Sequence, residues 1–224
     1  DARDANVVNL NIGLESGSER MRNEVLGRPK YTNIELEFFA QTARDHGINL
    51  TMYALIGLPE ETPKDFMETV KVVRRTRPNM VFLSIFHPYL GTDLCDLAIA
   101  KGFIKKDSLY DESFAVSERS RAYLDMPQFS RRRVQLEYVL FWIRAYGWIW
   151  PTDKVLAYTA RNMISTMPAL HSAYKLLRTK FSFLRNLRLK YYKAIAIPKE
   201  SKLGKPGFGN SMTSTRVDYT TLNT

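Results

Sequence analysis

Apolar residues in this chain change their period along its length. Val7 to Gly13, Ile48 to Ile56 and Met80 to Phe86 are short continuous apolar runs, each closed by Gly or a His-Pro step, as buried strands are. Between them the apolar positions fall at helical spacing. Glu15-Ser16-Gly17-Ser18 opens an amphipathic stretch to Leu26, with Gly27 as its stop. Thr32-Asn33-Ile34-Glu35 has the capping-box pattern, in which the Thr hydroxyl and the Glu carboxylate each satisfy a free backbone N–H, and the helix it starts should end at Gly47. Thr62 is a good N-cap with Pro63 at the first helical position, and Phe66, Val70 and Val73 form a stripe up to the break at Pro78. Thr92 caps a further helix from Asp93 to Lys101.

Strands alternating with helices in this way predict parallel strands joined by right-handed crossovers. A closed barrel of this kind needs about eight such units, far more than are present here. Beyond Phe103 the pattern changes: Ser130 to Trp150 reads as an aromatic-rich helix and Pro151 to Thr166 as another. From Ala169 to Lys193, Leu170, Tyr174, Leu177, Phe181 and Leu184 keep helical spacing. From about Pro198 the composition of Gly, Ser, Thr and Lys is that of a disordered tail. The resulting division is 1–105 α/β, 106–197 a helical basic extension and 198–224 the tail.

Composition sharpens this picture. The 224 residues are 45% hydrophobic, enough for a sizeable core. No apolar stretch long enough to span a membrane occurs, and Asp1-Ala2-Arg3-Asp4 has neither an apolar run nor an initiator Met, so the chain reads as cytosolic and as a portion of something longer. The net charge of +10 is unevenly placed: 14 basic and 15 acidic residues precede Ser108, against 19 and 8 from there on. Lys175, Arg178, Lys180, Arg185, Arg188, Lys190 and Lys193 occur in a segment without a single acid. That segment, 168–193, reads as a solvated helix face, as a basic amphipathic helix on anionic lipid, or as a nucleic-acid contact. The single cysteine, Cys95, excludes a disulfide framework and any multi-cysteine metal site built from this chain alone; amid Leu94, Leu97 and Ala98 it reads as a small buried thiol. His46, His87 and His171 have no metal-ligand spacing.

In parallel α/β architectures ligands bind at the C-terminal ends of the strands, so the loops at Gly13–Ser18, Gly57–Thr62 and His87–Thr92 should share one rim. Read as strings, Ile12-Gly13-Leu14-Glu15-Ser16-Gly17-Ser18, Gly27-Arg28, Leu55-Ile56-Gly57-Leu58-Pro59-Glu60-Glu61-Thr62 and Pro88-Tyr89-Leu90-Gly91-Thr92 resemble, in order and spacing, the later strands of radical S-adenosylmethionine (SAM) enzymes. The nearest flavour is the branch that often carries an upstream cobalamin-binding domain.

The resemblance implies an α/β fold, the second half of a partial parallel (β/α) TIM-like barrel with a helical C-terminal extension. It implies SAM contacts from Glu15, to the ribose or amino group, with Ser16, Gly17 and Ser18 completing that motif. It assigns Arg28 to the methionyl carboxylate, and the backbone around Leu55 and Gly57 to the adenine. Tyr53 and Glu60 depart from the family pattern, the latter standing where many relatives have Gly. The family's 4Fe-4S cluster needs three closely spaced cysteines, which this chain lacks, so the cluster ligands are expected upstream; no Asp-x-His-x-x-Gly cobalamin signature is present either. By resemblance the intact enzyme would generate a 5′-deoxyadenosyl radical or methylate through cobalamin, fed by a reductant such as flavodoxin or ferredoxin, on a small-molecule or lipid substrate; the isolated chain would be inactive. The rival expectation is a non-catalytic membrane- or nucleic-acid-associated module derived from such a barrel.

Overall fold

The computed structural model describes residues 7–28, 30–110 and 121–167. All belong to a unit spanning Asp1–Ser182. The basic segment 168–193 and the tail from 198 lie outside the described residues.

Three strands, β1 (Asn9–Glu15), β2 (Asn49–Ile56) and β3 (Met80–Ile85), form a parallel sheet in that order. Helix α1 (Asn33–Asp45) connects β1 to β2, and α2 (Pro63–Thr76) connects β2 to β3. Both helices start where the sequence places them. Thr32 and Glu35 make both bonds of a capping box, and Thr62 makes the same arrangement with Asp65, with Pro63 following the cap. Helix α3 (Asp93–Ala100) is capped by the Thr92 hydroxyl and buries Cys95 completely. Helices α4 (Arg131–Tyr146) and α5 (Thr152–Thr166) form an antiparallel hairpin: Asn162 donates to the carbonyl of Tyr138, and the Trp142 and Tyr158 rings lie 4.3 Å apart one turn further along. The inner face of α4 packs on α2 through Phe141 and Phe66, and Val134 reaches Gly57. This aromatic helix is thus a core element. Among the described residues no helix is long and apolar enough to cross a membrane.

The two faces of the sheet differ. Leu50, Met52, Ala54 and Ile56 of β2 and Val81, Leu83 and Ile85 of β3 point under the helices and are buried. The opposite face, with Asn11, Gly13, Thr51, Tyr53, Phe82 and Ser84, is only partly covered: Tyr53 and Phe82 stack at 5.2 Å yet remain 44% and 45% exposed. Parallel sheets are ordinarily covered on both faces, so a half-bare one marks a cavity wall or a contact surface.

Two local predictions shift. The first strand runs on to Glu15, because a register irregularity between Gly13 and Glu15 keeps Glu15 paired with Ala54 of β2. The helix expected up to Leu26 is replaced by a wide turn at Met21–Val25, in which Leu26 N–H bonds the carbonyl of Met21 and Arg28 N–H that of Arg22, both at 2.9 Å. The widening accompanies the burial of the Arg22 side chain, which periodicity would assign to solvent.

Candidate functional site

The C-terminal ends of the three strands bring the predicted residues to one rim, with two different kinds of surroundings. Glu15 and Arg28 meet there: Arg28 Nη2 donates to Glu15 Oε1 at 2.8 Å, with the arginine side chain half exposed. Glu15 holds φ at 57°, the left-handed region that costs a non-glycine residue about 1 kcal/mol or more. Strain of this kind persists where the surroundings over-determine it and is concentrated at functional sites. Gly13 lies beside the pair, and a Cβ there would sit 3.0 Å from Glu15 Oε1. Gly57, with φ of 79°, follows β2 on the same rim, and Leu55 is half-buried before it.

Ser16, Gly17 and Ser18 instead turn into the protein. Ser16 and Ser18 are buried, and the Ser18 hydroxyl donates to Asp65 Oδ1 at 2.7 Å. Gly17 N–H donates to Thr69 Oγ1 at 2.8 Å, and a Cβ on Gly17 would meet the Thr69 Cα at 2.4 Å. No side chain fits, so the glycine is required by the close approach of the loop to α2. These three residues hold the loop at whose start Glu15, its side chain 20% exposed, meets Arg28.

Two further residues, not assigned to the site from sequence, complete this scaffold. Arg22 is fully buried and reaches under the loop, donating to the carbonyls of Ser16 (2.8 Å) and Tyr31 (3.1 Å) and to Asn33 Oδ1 (2.9 Å), while stacking 4.5 Å above the Tyr31 ring. Burial lowers its pKa. Asp65 ties the first loop to the second. It accepts from Ser18, from Arg20 Nη2 at 2.7 Å and from the Thr62 hydroxyl at 2.6 Å. Burial alone would raise its pKa, but the hydrogen bonds from Arg20, Thr62 and Ser18 outweigh that and hold it at about 2.

Glu61 clamps the loop after β2. Its Oε2 accepts from Gly57 N–H at 2.6 Å and from Leu58 N–H at 3.3 Å, while the buried Oε1 has no hydrogen-bond partner among the described residues. Burial pushes the carboxyl up to about 8, against the pull of those two amides. A group whose folded pKa exceeds its unfolded value of about 4.5 stabilises the fold fully below that value and loses the contribution as pH rises to about 8. Wild-type stability should therefore fall more steeply between pH 5 and 8 than that of Glu61→Gln, by up to about 1.4 kcal/mol per pH unit. Parallel denaturant titrations across that window check it; equal slopes would refute the buried neutral carboxyl. Asp65 acts in a different window, contributing above its unfolded value of 3.8 and losing that contribution as pH falls towards about 2.

Glu60, one residue earlier, has φ of 62°, which explains why glycine is at home in this position. Here its side chain pairs with Lys101 at 2.5 Å. A cleft of about 730 Å³ opens beside it, lined among others by Arg20, Glu60, Lys64, Asp65 and Lys101. Arg20 is paired with Asp65 and Lys101 with Glu60, so the cleft's charges are largely satisfied within the protein. Both places hold an ion pair and a left-handed glutamate, and the rim is preferred because it lies at the C-terminal ends of parallel strands, where ligands of such sheets bind. Among the described residues no cluster of His, Cys, Asp or Glu is placed to hold a metal ion, and burial raises the pKa of the Cys95 thiol.

No family model matches the chain. Curated relatives do. Over 134 residues the chain is 29% identical to a tRNA-2-methylthio-N(6)-dimethylallyladenosine synthase of Vibrio cholerae and 30% identical to that of Vibrio campbellii, in each case covering 57% of this chain and 27% of the relative. A protein of Methanocaldococcus jannaschii that carries a methylthiotransferase name is 32% identical over 89 residues, or 39% of this chain and 19% of its own length. The chain thus spans about a quarter of the length of the first of these relatives.

Proposed function

We propose, on the premise that this chain shares descent with the methylthiotransferases of the radical SAM superfamily, that it is the C-terminal part of such an enzyme's barrel and forms one wall of its SAM site. The observation that carries the reading is the Glu15–Arg28 pair, presented by a strained backbone at the ends of parallel strands. An anion and a cation 2.8 Å apart match, with opposite signs, the carboxylate and ammonium of an amino-acid moiety. Arg28 would take the methionyl carboxylate and Glu15 the amino group or ribose. Ser16, Gly17 and Ser18 fix the loop, and the backbone at Leu55 and Gly57, braced by Glu61, offers a surface to the adenine. SAM held by Glu15 and Arg28 would supply, on one-electron reduction by a cluster outside this chain that cleaves its sulfonium C–S bond, a carbon-centred radical for hydrogen abstraction.

The residues present do not fit an iron–sulfur cluster. The one cysteine is buried in α3, so the cluster belongs to a part of the enzyme outside this chain. The relatives' names give the expectation of cobalamin no support, and it forms no part of this proposal. Their names do favour a second reading of the basic C-terminal portion, as a contact for RNA in place of anionic lipid. Sedimentation with anionic vesicles and gel shift with tRNA, each at low and high salt, separate the two.

Equilibrium dialysis with labelled SAM on the longest soluble form of the protein tests the site. Glu15→Gln and Arg28→Ala should each weaken binding about tenfold or more, roughly 1.4 kcal/mol. The double variant should lose less than the sum, because the two groups interact. Unchanged affinity in both single variants would remove the assignment.

A further inference from the structure

The sheet face opposite the helices carries groups that the proposed SAM wall does not use. Gly13 of β1, Tyr53 of β2 and Phe82 of β3 are in register and form one row across it. The Tyr53 and Phe82 rings stack at 5.2 Å with their planes 15° apart. Phe82 thus backs one face of the Tyr53 ring. The other face looks towards β1, where the row ends in an exposed glycine with no side chain to cover it. A Cβ at Gly13 would meet Glu15 Oε1 at 3.0 Å, so this slot opens directly against the carboxylate that pairs with Arg28. At its other end stands Asn11, exposed and on the same face. Asn11 accepts from Asn9 at 2.9 Å, and its own amide N–H groups make no hydrogen bond among the described residues.

We infer that the Tyr53 ring, backed by Phe82, is a stacking platform for a planar heteroaromatic ring of the substrate, seated over Gly13. The inference rests on the reading of the Glu15–Arg28 rim as part of a SAM site, and it names the kind of substrate group held beside that site. The slot's apolar wall is a flat ring face, and such a face gains most from a second ring laid against it, about 1–3 kcal/mol for a stacked base. Asn11 offers a donor to the polar edge of a heteroaromatic ring, whereas a saturated lipid chain covering it would leave that amide unsatisfied. The adenine of SAM does not compete for the platform. The backbone proposed to face it, at Leu55 and Gly57, follows Tyr53 by two and four residues, about 7 and 13 Å nearer the rim. Tyr53, which departs from the family pattern, is on this reading a residue that selects the substrate.

Saturation-transfer difference NMR tests this, with adenosine as the probe, on the longest soluble form of the protein in excess SAM and without reductant. Adenosine should bind, with the strongest transfer to its ring protons. Tyr53→Leu should weaken binding about tenfold and Phe82→Leu about threefold. Tyr53→Phe should keep wild-type affinity, since the ring and not the hydroxyl stacks. SAM affinity should be the same in all three variants. Failure of adenosine to bind, or binding indifferent to Tyr53→Leu, would overturn the inference. So would tighter, Tyr53-dependent binding of octyl glucoside, because the occupant would then be a lipid chain. Loss of SAM affinity in Tyr53→Leu would assign the ring to SAM itself, overturning the inference and leaving the SAM reading intact. Tyr53-dependent adenosine binding, with SAM affinity unmoved by Glu15→Gln and Arg28→Ala, would remove the SAM assignment and leave the platform.

Discussion

Arg22→Met should destabilise the protein by about 3 kcal/mol and loosen the loop that carries Glu15. The guanidinium is completely buried and donates to three acceptors, the buried carbonyl of Ser16 and the part-buried Tyr31 carbonyl and Asn33 side-chain oxygen. Each buried acceptor left without a donor costs about 1–3 kcal/mol. Methionine fills much of the volume and removes a charge that burial disfavours, which recovers part of the loss. The net is still large against a total stability of about 5–15 kcal/mol. Arg22→Lys should not rescue it, since one ammonium cannot reach Ser16, Tyr31 and Asn33 from the positions that a planar fork serves. Denaturant unfolding gives the magnitude, and hydrogen exchange at Ser16–Ser18 reports the loop. A loss below about 0.5 kcal/mol would show that water replaces the guanidinium and that the loop is held by its other contacts.

Gly17→Ala should cost a comparable amount, again about 3 kcal/mol, by a steric route. The new methyl would lie 2.4 Å from the Thr69 Cα and 2.7 Å from the Glu68 carbonyl oxygen, and both belong to the backbone of α2, which cannot rotate away as a side chain can. Relief requires the loop to lift from α2, which also breaks the Gly17–Thr69 hydrogen bond of 2.8 Å. Overpacking a tight contact costs about 1–3 kcal/mol and the lost bond about 1 more. Thr69→Val isolates the second term, and its cost should be near 1 kcal/mol. Because lifting the loop carries Glu15 with it, Gly17→Ala should also weaken SAM binding, whereas Thr69→Val should leave it near wild type. Equal stability of Gly17→Ala and wild type would mean that the loop does not sit where the structure places it.

The elements readable in advance were those whose determinants are local. Thr32 with Glu35 and Thr62 with Pro63 announce helix starts because a capping bond spans only three residues, and both caps form as read. The apolar runs announce strands, and their alternation with helices announces parallel pairing. Cys95, flanked by aliphatic residues, was legible as a buried thiol. The same local pattern misread Met21–Val25, where helical periodicity is present but the side chain of Arg22 is turned inward by acceptors on residues 16, 31 and 33. No window along the chain contains that information. Asp65 is a similar case: its place in the second capping box was readable, its bonds to Ser18 and Arg20 were not.

By itself, then, the sequence determined the order of the three strands and of the capped helices between and after them, the rim on which Glu15, Arg28 and Gly57 should lie, and the lack of a cysteine triplet in this chain, since these depend on residue type and short spacing. Tertiary structure alone decided how the motif Glu15-Ser16-Gly17-Ser18 divides its labour. Glu15 sits on a left-handed backbone with its side chain 20% exposed against Arg28, and the next three residues are consumed in packing against α2. It also decided that the Glu61 carboxyl is fully buried as a clamp on the Gly57 and Leu58 amides. Burial and close approach are properties of pairs of residues distant in the chain, and only the folded arrangement brings such pairs together.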